Sequence, residues 1–373
     1  MYLKSLLKDK NYILLTVSLL TLVLLFGLNL AVGSVSIPFK SVINILLRDS
    51  QESIVWQNII FKSRLPQSIT AILAGSGLAI SGLQMQTVFR NPLAGPSVLG
   101  VSSGASLGVA FVILLSGSIG GVVLSKVGFI GNVAITISAI IGSMAVMSLI
   151  LYVSQKVKGN VTLLIIGVMI GYIASAIIGV LKFFSVEEDV KAYVIWGLGS
   201  FSRVSGNQIA PFVIMMLITI PLSFLLIKQM NIMLLGDGYA RNLGLNINRS
   251  RALIIASAGI LTAIVTAYCG PIVFLGMAVP HLCRSIFKTS DHKLLMPSVA
   301  IIGSILALGC NLISRMPGFE GALPINSVTS LIGAPIVASI IFKKRKIYLK
   351  STCIQTKISQ FIKQKIYWAN HMS

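Results

Sequence analysis

The sequence predicts an all-α polytopic membrane protein with about ten transmembrane helices, and three observations carry that expectation. Of 373 residues, 55% are hydrophobic and only 10% are charged, whereas a soluble domain has about 25% charged residues. Apolar runs of about 20 residues, the length of a bilayer-spanning helix, recur along the chain. The cations gather in alternate connecting segments, as they do in multi-pass proteins. A soluble enzyme is excluded, because there is too little polar surface to cover two or three water-exposed domains of about 150 residues. The net charge of +21 raises nucleic acid as a partner, but no basic patch is interleaved with aromatic readers, so no nucleic-acid role is expected.

Taken in order, the spans fall at 12–32, 66–88, 98–116, 129–153, 161–184, 209–229, 250–269, 271–287, 295–314 and 324–342. The segment 271–287 is apolar only to Leu282 before it meets Cys283, Arg284 and Lys288, which predicts a short or bent span whose polar end reaches the interface. An even count puts both termini on one side. With both termini in the cytoplasm, the inner segments hold 21 of the 30 cations and three of the nine acids. The outer ones then hold nine cations and six acids. The bias persists without the C-terminal tail, so cytoplasmic termini are expected.

Lys4, Lys8 and Lys10 before the first span and Ala31-Val32-Gly33 after it resemble the flanks of a signal peptide. An apolar stretch over 12–32 exceeds the 7–15 residues of a secretory core, so a retained helix is expected. Cys269, Cys283, Cys310 and Cys353 show no CxxC spacing, and His281 with Cys283 lacks a second ligand pair, so packed side chains are expected there rather than a metal site. Glycines at small-xxx-small spacing, as in Gly100/Gly104/Gly108 and Gly167/Gly171, predict closely packed helices.

Several absences narrow the function. No GxxxxGK[ST] phosphate loop, HExxH motif or Ser/His/Asp set occurs in a span, and no acid lies at the centre of an apolar run. An ion-coupled carrier ordinarily needs such acids. The energy source is therefore expected outside this chain, in a partner ATPase, or else the chain is a passive channel.

Three connecting segments carry specific sequence. After the second span, Phe89-Arg90-Asn91-Pro92-Leu93-Ala94-Gly95-Pro96-Ser97 holds two helix-breaking prolines and a candidate cap. The segment Leu235-Gly236-Asp237-Gly238-Tyr239-Ala240-Arg241-Asn242-Leu243-Gly244 predicts a short amphipathic turn of helix closed by glycine. A third runs from Gly270-Pro271 through Phe274-Leu275-Gly276 and Val279-Pro280-His281 to Arg284.

On these residues the chain resembles the FecCD permeases of ABC importers, which take up iron-siderophores, haem and cobalamin. The resemblance covers nearly the whole chain. Its motifs, in order, are Arg64-Leu65-Pro66, the glycine-rich stretch 74–82, Asn91-Pro92-Leu93-Ala94, Phe274-Leu275-Gly276 with Val279-Pro280-His281 and Arg284, and Ile332-Gly333-Ala334-Pro335. It implies a type II, cobalamin-importer-like permease fold in the bacterial cytoplasmic membrane and a homodimer of permeases. Two ATPase subunits and a substrate-binding lipoprotein or periplasmic protein complete the importer. The permease itself would be no enzyme and hold no cofactor. Gly236, Asp237, Ala240, Leu243 and Gly244 resemble the helix that couples to the ATPase. Asn91 and Leu93 resemble a cytoplasmic gate with Asn160 as companion, and Arg64 and Arg315 resemble arginines that pair with acids of the binding protein. An iron-siderophore is the expected cargo, followed by haem and cobalamin.

Departures from the family pattern include Gln67 where an Arg is frequent, Asn311 where an acid is frequent, and Ala322 with Glu320 displaced. Residues 1–342 are expected to form the permease domain and 343–373 a basic tail. In the tail Ile354, Ile358, Phe361, Ile362 and Trp368 recur at helical spacing among Lys357, Lys363 and Lys365, as in a helix lying on an anionic leaflet.

Overall fold

A computed structural model describes residues 2–33, 35–47, 52–120, 128–157, 160–316 and 323–339. Every regular element among these residues is helical. In a bilayer this follows from chemistry, since a helix satisfies its backbone polar groups within one segment. The helices are α1 (Tyr2–Ala31), α2 (Phe39–Leu46), α3 (Ile54–Ile59), α4 (Leu65–Phe89), α5 (Val101–Gly120), α6 (Gly128–Lys156) and α7 (Asn160–Phe184). They continue with α8 (Glu187–Gly197), α9 (Ile209–Phe224), α10 (Ile227–Met233), α11 (Asp237–Asn242), α12 (Ile247–Cys269), α13 (Leu275–Phe287), α14 (His292–Ser314) and α15 (Ile325–Ser339).

Seven helical stretches among the described residues are long and apolar enough to cross a bilayer: α1, α3 continued through a π-helical turn into α4, α6, α7, α9, α12 and α14. The apolar stretches Val101–Leu115 of α5 and α15 are shorter. These nine and α13 lie where the ten apolar runs predict spans. The chain divides into a unit of residues 1–330 and a second from Leu331, of which 331–339 are described and helical. The expected tail helix, and Glu320 and Ala322, lie outside the described residues.

Within the first unit α4 is central: 83% of its most apolar window is buried, against 11% for α1. Its composition explains this, because Gly, Ser, Thr and Gln let neighbours approach and offer polar links between helices. The Ser81 hydroxyl donates to the Ala258 carbonyl of α12 at 2.8 Å, and the Gln84 amide donates to Ser257 at 3.0 Å. A Cβ on Gly82 would stand 1.6 Å from the Gly276 carbonyl oxygen, so α4 and α13 touch backbone to backbone. Gly104 and Gly142 make the same contact between α5 and α6. Gly104 and Gly108 of the predicted stripe are thus the α5 side of a seam with α6, whereas Gly100, just before α5, faces the Gly167 carbonyl of α7; the partner glycine on α6 is visible only in three dimensions.

Segment 271–287 is the short span the sequence predicts: it is helical only from Leu275, and 13 residues at 1.5 Å give about 20 Å, short of the ~30 Å hydrocarbon core. The run 209–229 departs from the sequence expectation, because α9 ends at Phe224, three residues after Pro221, and α10 starts at Ile227. Short helices α2 and α8, also outside that expectation, join the spans. Val42 and Ile45 of α2 enter a small core with Leu30, Ile37 and Ile60, while Glu187, Glu188 and Asp189 open α8, where carboxylates favour the helix N-terminus.

Candidate functional site

Two helix ends meet near the break between α9 and α10. Gly236 (φ 102°) turns the chain into α11, and Gly244 (φ 78°) turns it out, which glycine does without steric cost. Asp237 opens α11 and accepts a hydrogen bond from the Arg90 guanidinium, with Arg251 at 3.7 Å on its other oxygen. Arg90 also donates to the Met233 carbonyl at 3.3 Å. This pair ties α11 to the loop leaving α4, although such half-exposed pairs contribute only about 0–1 kcal/mol. The outward face is apolar, with Leu235, Tyr239 and Leu243 at 58%, 72% and 61% exposure. Ala240 corrects the sequence expectation. It lies fully buried on the inner face of α11, so a partner docked here would touch Tyr239 and Leu243 instead.

In the loop itself Asn91 Oδ1 accepts the Leu93 backbone N–H at 3.0 Å, and the Asn91 carbonyl accepts the Ala94 N–H at 3.1 Å. This side-chain turn follows a residue in the left-handed region, Arg90 (φ 49°). It buries Ala94 and leaves Leu93 41% exposed. Asn160 begins α7, but its side chain lies outside the described residues.

At the opposite end Arg64 is 3% exposed. The π-helical turn before α4 aims it inward, where it donates to the carbonyls of Leu30 and Ala31 at 2.7 Å each and to that of Val35. These include final carbonyls of α1, which lack partners within the helix. The expectation of Arg64 as an outward docking charge is corrected on this geometry. Arg315 is half-buried and donates to the Asn29 carbonyl and Oδ1 at 3.1 and 3.0 Å. Burial, then the Arg64 charge, lowers its pKa to about 10, which leaves it protonated at neutral pH. Asn29 also accepts from Asn311 and donates to the Leu308 carbonyl. A lone Asn inside the first apolar run was the available signal for this link.

Between α12 and α13 the backbone is irregular from Gly270 to Phe274, and both ends of the break have positive φ (79° and 68°). Irregular backbone at membrane depth requires partners, and Asn326 supplies them. Its amide donates to the Pro271 and Gly197 carbonyls at 2.6 and 3.1 Å, and its Oδ1 accepts the Val273 N–H at 3.1 Å. Beside this break α5, α7 and α8 border a partly open cavity of about 430 Å³, whose lining includes Ser97, Ser102, Ser103, Ser106 and Ser175. Among the described residues no three His, Cys, Asp or Glu side chains cluster as a metal site requires.

A multi-pass helical bundle with a broken helix beside an open cavity is the arrangement in which membrane transporters place their cargo pathway. Residues 20–343 match the FecCD transport family, and the chain belongs to it. It is a permease of the ABC importer class. It is 32% identical over 330 residues to the hemin transport system permease protein of Yersinia pestis, covering 88% of this chain and 95% of that one. With the vitamin B12 import system permease protein of Citrobacter koseri it shares 34% over 298 residues, or 79% and 84% of the two chains. A solved structure, described as a metal-chelate type ABC transporter in an inward-facing conformation, superposes with a TM-score of 0.76 at 28% identity over 88% of this chain and 99% of that one.

Proposed function

We propose that this permease imports an iron-siderophore complex by alternating access, driven by ATP hydrolysis in a separate subunit. In this reading two copies form the pathway, two ATPases dock against the α10–α11 corner, and a binding protein delivers the chelate from outside. Both termini are cytoplasmic, which the cation bias supports. The observation that carries the reading is the corner itself. Exposed Leu235, Tyr239 and Leu243 form an apolar knob of the kind a partner groove buries, and Asp237 joins that knob through Arg90 to the Asn91-Pro92-Leu93 loop. Movement of the knob would therefore carry the loop with it. Leu93, and Asn160 with it, would form the inner gate, and an apolar constriction blocks water and solute without charge. Arg315 is retained as the residue facing the binding protein, since it is the more exposed of the two arginines.

The metal-chelate description of the structural relative supports a metal chelate as cargo, a class that holds iron-siderophores, haem and cobalamin alike. Haem or cobalamin is a second reading, favoured by the hemin and vitamin B12 permeases among the sequence relatives. Competition between a radio-iron siderophore, haemin and cobalamin for uptake by cells expressing the complete importer separates them. The proposal expects the siderophore to be accumulated and its uptake to resist excess haemin and cobalamin; accumulation of haemin or cobalamin alone overturns the siderophore assignment.

A further inference from the structure

The 430 Å³ cavity beside the broken helix lies within the 300–1,000 Å³ range of small-molecule sites. Its chemistry is unlike that of the surrounding bundle. Serines in apolar helices ordinarily turn their hydroxyls back onto the carbonyl four residues earlier. In this chain Ser18, Ser298 and Ser304 do so at 2.7–2.9 Å. Ser97, Ser103 and Ser175 have no hydrogen-bond partner among the described residues, and Ser102 approaches Thr266 only at 3.5 Å. Their hydroxyls are left to serve whatever enters. Exposure of Ser97, Ser175 and Gly179 keeps one side open.

Lys182 brings the single cation of the lining. Its ammonium stands 4.8 Å from the centre of the Tyr193 ring, a cation–π contact that holds it at the cavity, and Tyr193 and Ser106 share the lining. No ion pair to Lys182 is made among the described residues. Acceptor oxygens suit the hydroxyls, and one negative charge balances the ammonium. The start of α5 at Val101 adds a favourable dipole for an anion. Resting on the importer reading above, we propose that this cavity is a cargo subsite that takes a carboxylate-bearing, oxygen-rich arm of the transported chelate, with Lys182 as the residue that selects for the charge.

The test uses the full-length permease with its ATPase in nanodiscs of zwitterionic lipid. Ser103→Cys, in a Cys353→Ser background that leaves only the three buried native thiols, is labelled with an uncharged maleimide. Citrate at about ten times its dissociation constant for the site is expected to slow labelling about tenfold, since the slowing is one plus the ratio of ligand concentration to that constant, and an uncharged sugar at the same concentration is not. Lys182→Met should abolish the protection and Lys182→Arg restore it. Absence of citrate protection, or protection that survives Lys182→Met, overturns the subsite. Protection by the lipid itself, seen as slow labelling only in discs with anionic phospholipid and without citrate, overturns it too, since the cation then serves a headgroup. In ATP-driven uptake Lys182→Met should lose about tenfold in kcat/KM for ferric citrate, Lys182→Arg should not, and both should keep full uptake of a ferric trihydroxamate without carboxylates. Citrate protection in a protein that takes up no chelate with ATP counts against the importer reading and spares the subsite.

Discussion

Replacing Arg64 with Met tests whether its three carbonyl contacts hold the chain together or whether its charge serves a partner. The wild-type guanidinium donates to Leu30, Ala31 and Val35 and is 3% exposed. Hydrogen bonds to a charged group contribute about 1.5–3 kcal/mol each, which bounds the loss of three at roughly 5–9 kcal/mol. Met also removes a buried charge whose desolvation opposed folding, and it retains the apolar stem. The net expected cost is therefore about 3–5 kcal/mol, the range for breaking one side of a buried charged network. Lysine at this position cannot reproduce the fork and should recover only part of the loss. Heating detergent-solubilised protein and following the monodisperse fraction by fluorescence size-exclusion should show the melting midpoint lowered by several degrees in Arg64→Met and by less in Arg64→Lys. A variant with wild-type melting but weakened binding-protein affinity would refute the structural role and restore Arg64 to the docking surface.

The other predictions concern the ends of the bundle and the break between α12 and α13. Tyr239→Asp or Leu243→Asp should abolish cargo-stimulated ATP hydrolysis while the permease inserts and dimerises; Ala240→Asp should instead lower folded yield, because Ala240 is fully buried, and normal coupling in the Tyr239 and Leu243 variants would remove the corner from the ATPase interface. Leu93→Cys should cross-link between two permease copies with a yield that changes on ATP binding, and failure to cross-link in every nucleotide state removes Leu93 from the gate. Arg315→Glu should weaken binding-protein association, and added salt should mimic it because exposed charges are screened over about 8–10 Å; affinity unaltered by both treatments leaves Arg315 a purely internal role. Asn326→Leu should uncouple the strapped segment by removing its bonds to Pro271, Gly197 and Val273, measured as lost uptake with retained membrane insertion, and full uptake would show that the strap is dispensable.

Much of the fold was legible because lipid imposes one solution on long apolar runs. The run 250–269 is α12 (Ile247–Cys269) and 295–314 is α14 (His292–Ser314), each within three residues. Pro221 hid a break inside 209–229, since proline can kink or end a helix and hydropathy does not distinguish the two. Helices α2 and α8 were missed because their burial is one-sided and short, below what an apolar-run search detects. At the candidate site the sequence located the loop 91–95 and the corner 236–244 but not their facing. Ala240 looked like a contact residue and is interior, and Arg64 looked like a surface charge and caps α1. Residue type cannot report facing, because facing depends on a π-helical turn and on which helix crosses above. Asn29 and Asn326 stood as the single amide side chains of their apolar runs, a detectable signal whose partners, 279 and 55 residues away for Leu308 and Pro271, were not.

In the proposed mechanism cargo moves through this chain only when a partner hydrolyses ATP. Proteoliposomes holding the permease and its ATPase, supplied with the binding protein and a radio-iron chelate, measure that dependence directly. Accumulation against the chelate gradient is expected with ATP on the ATPase side, none with a non-hydrolysable analogue, and none when Tyr239→Asp replaces the wild-type permease. Accumulation driven by a proton or sodium gradient without ATP, or ATP-independent equilibration of the chelate, contradicts it.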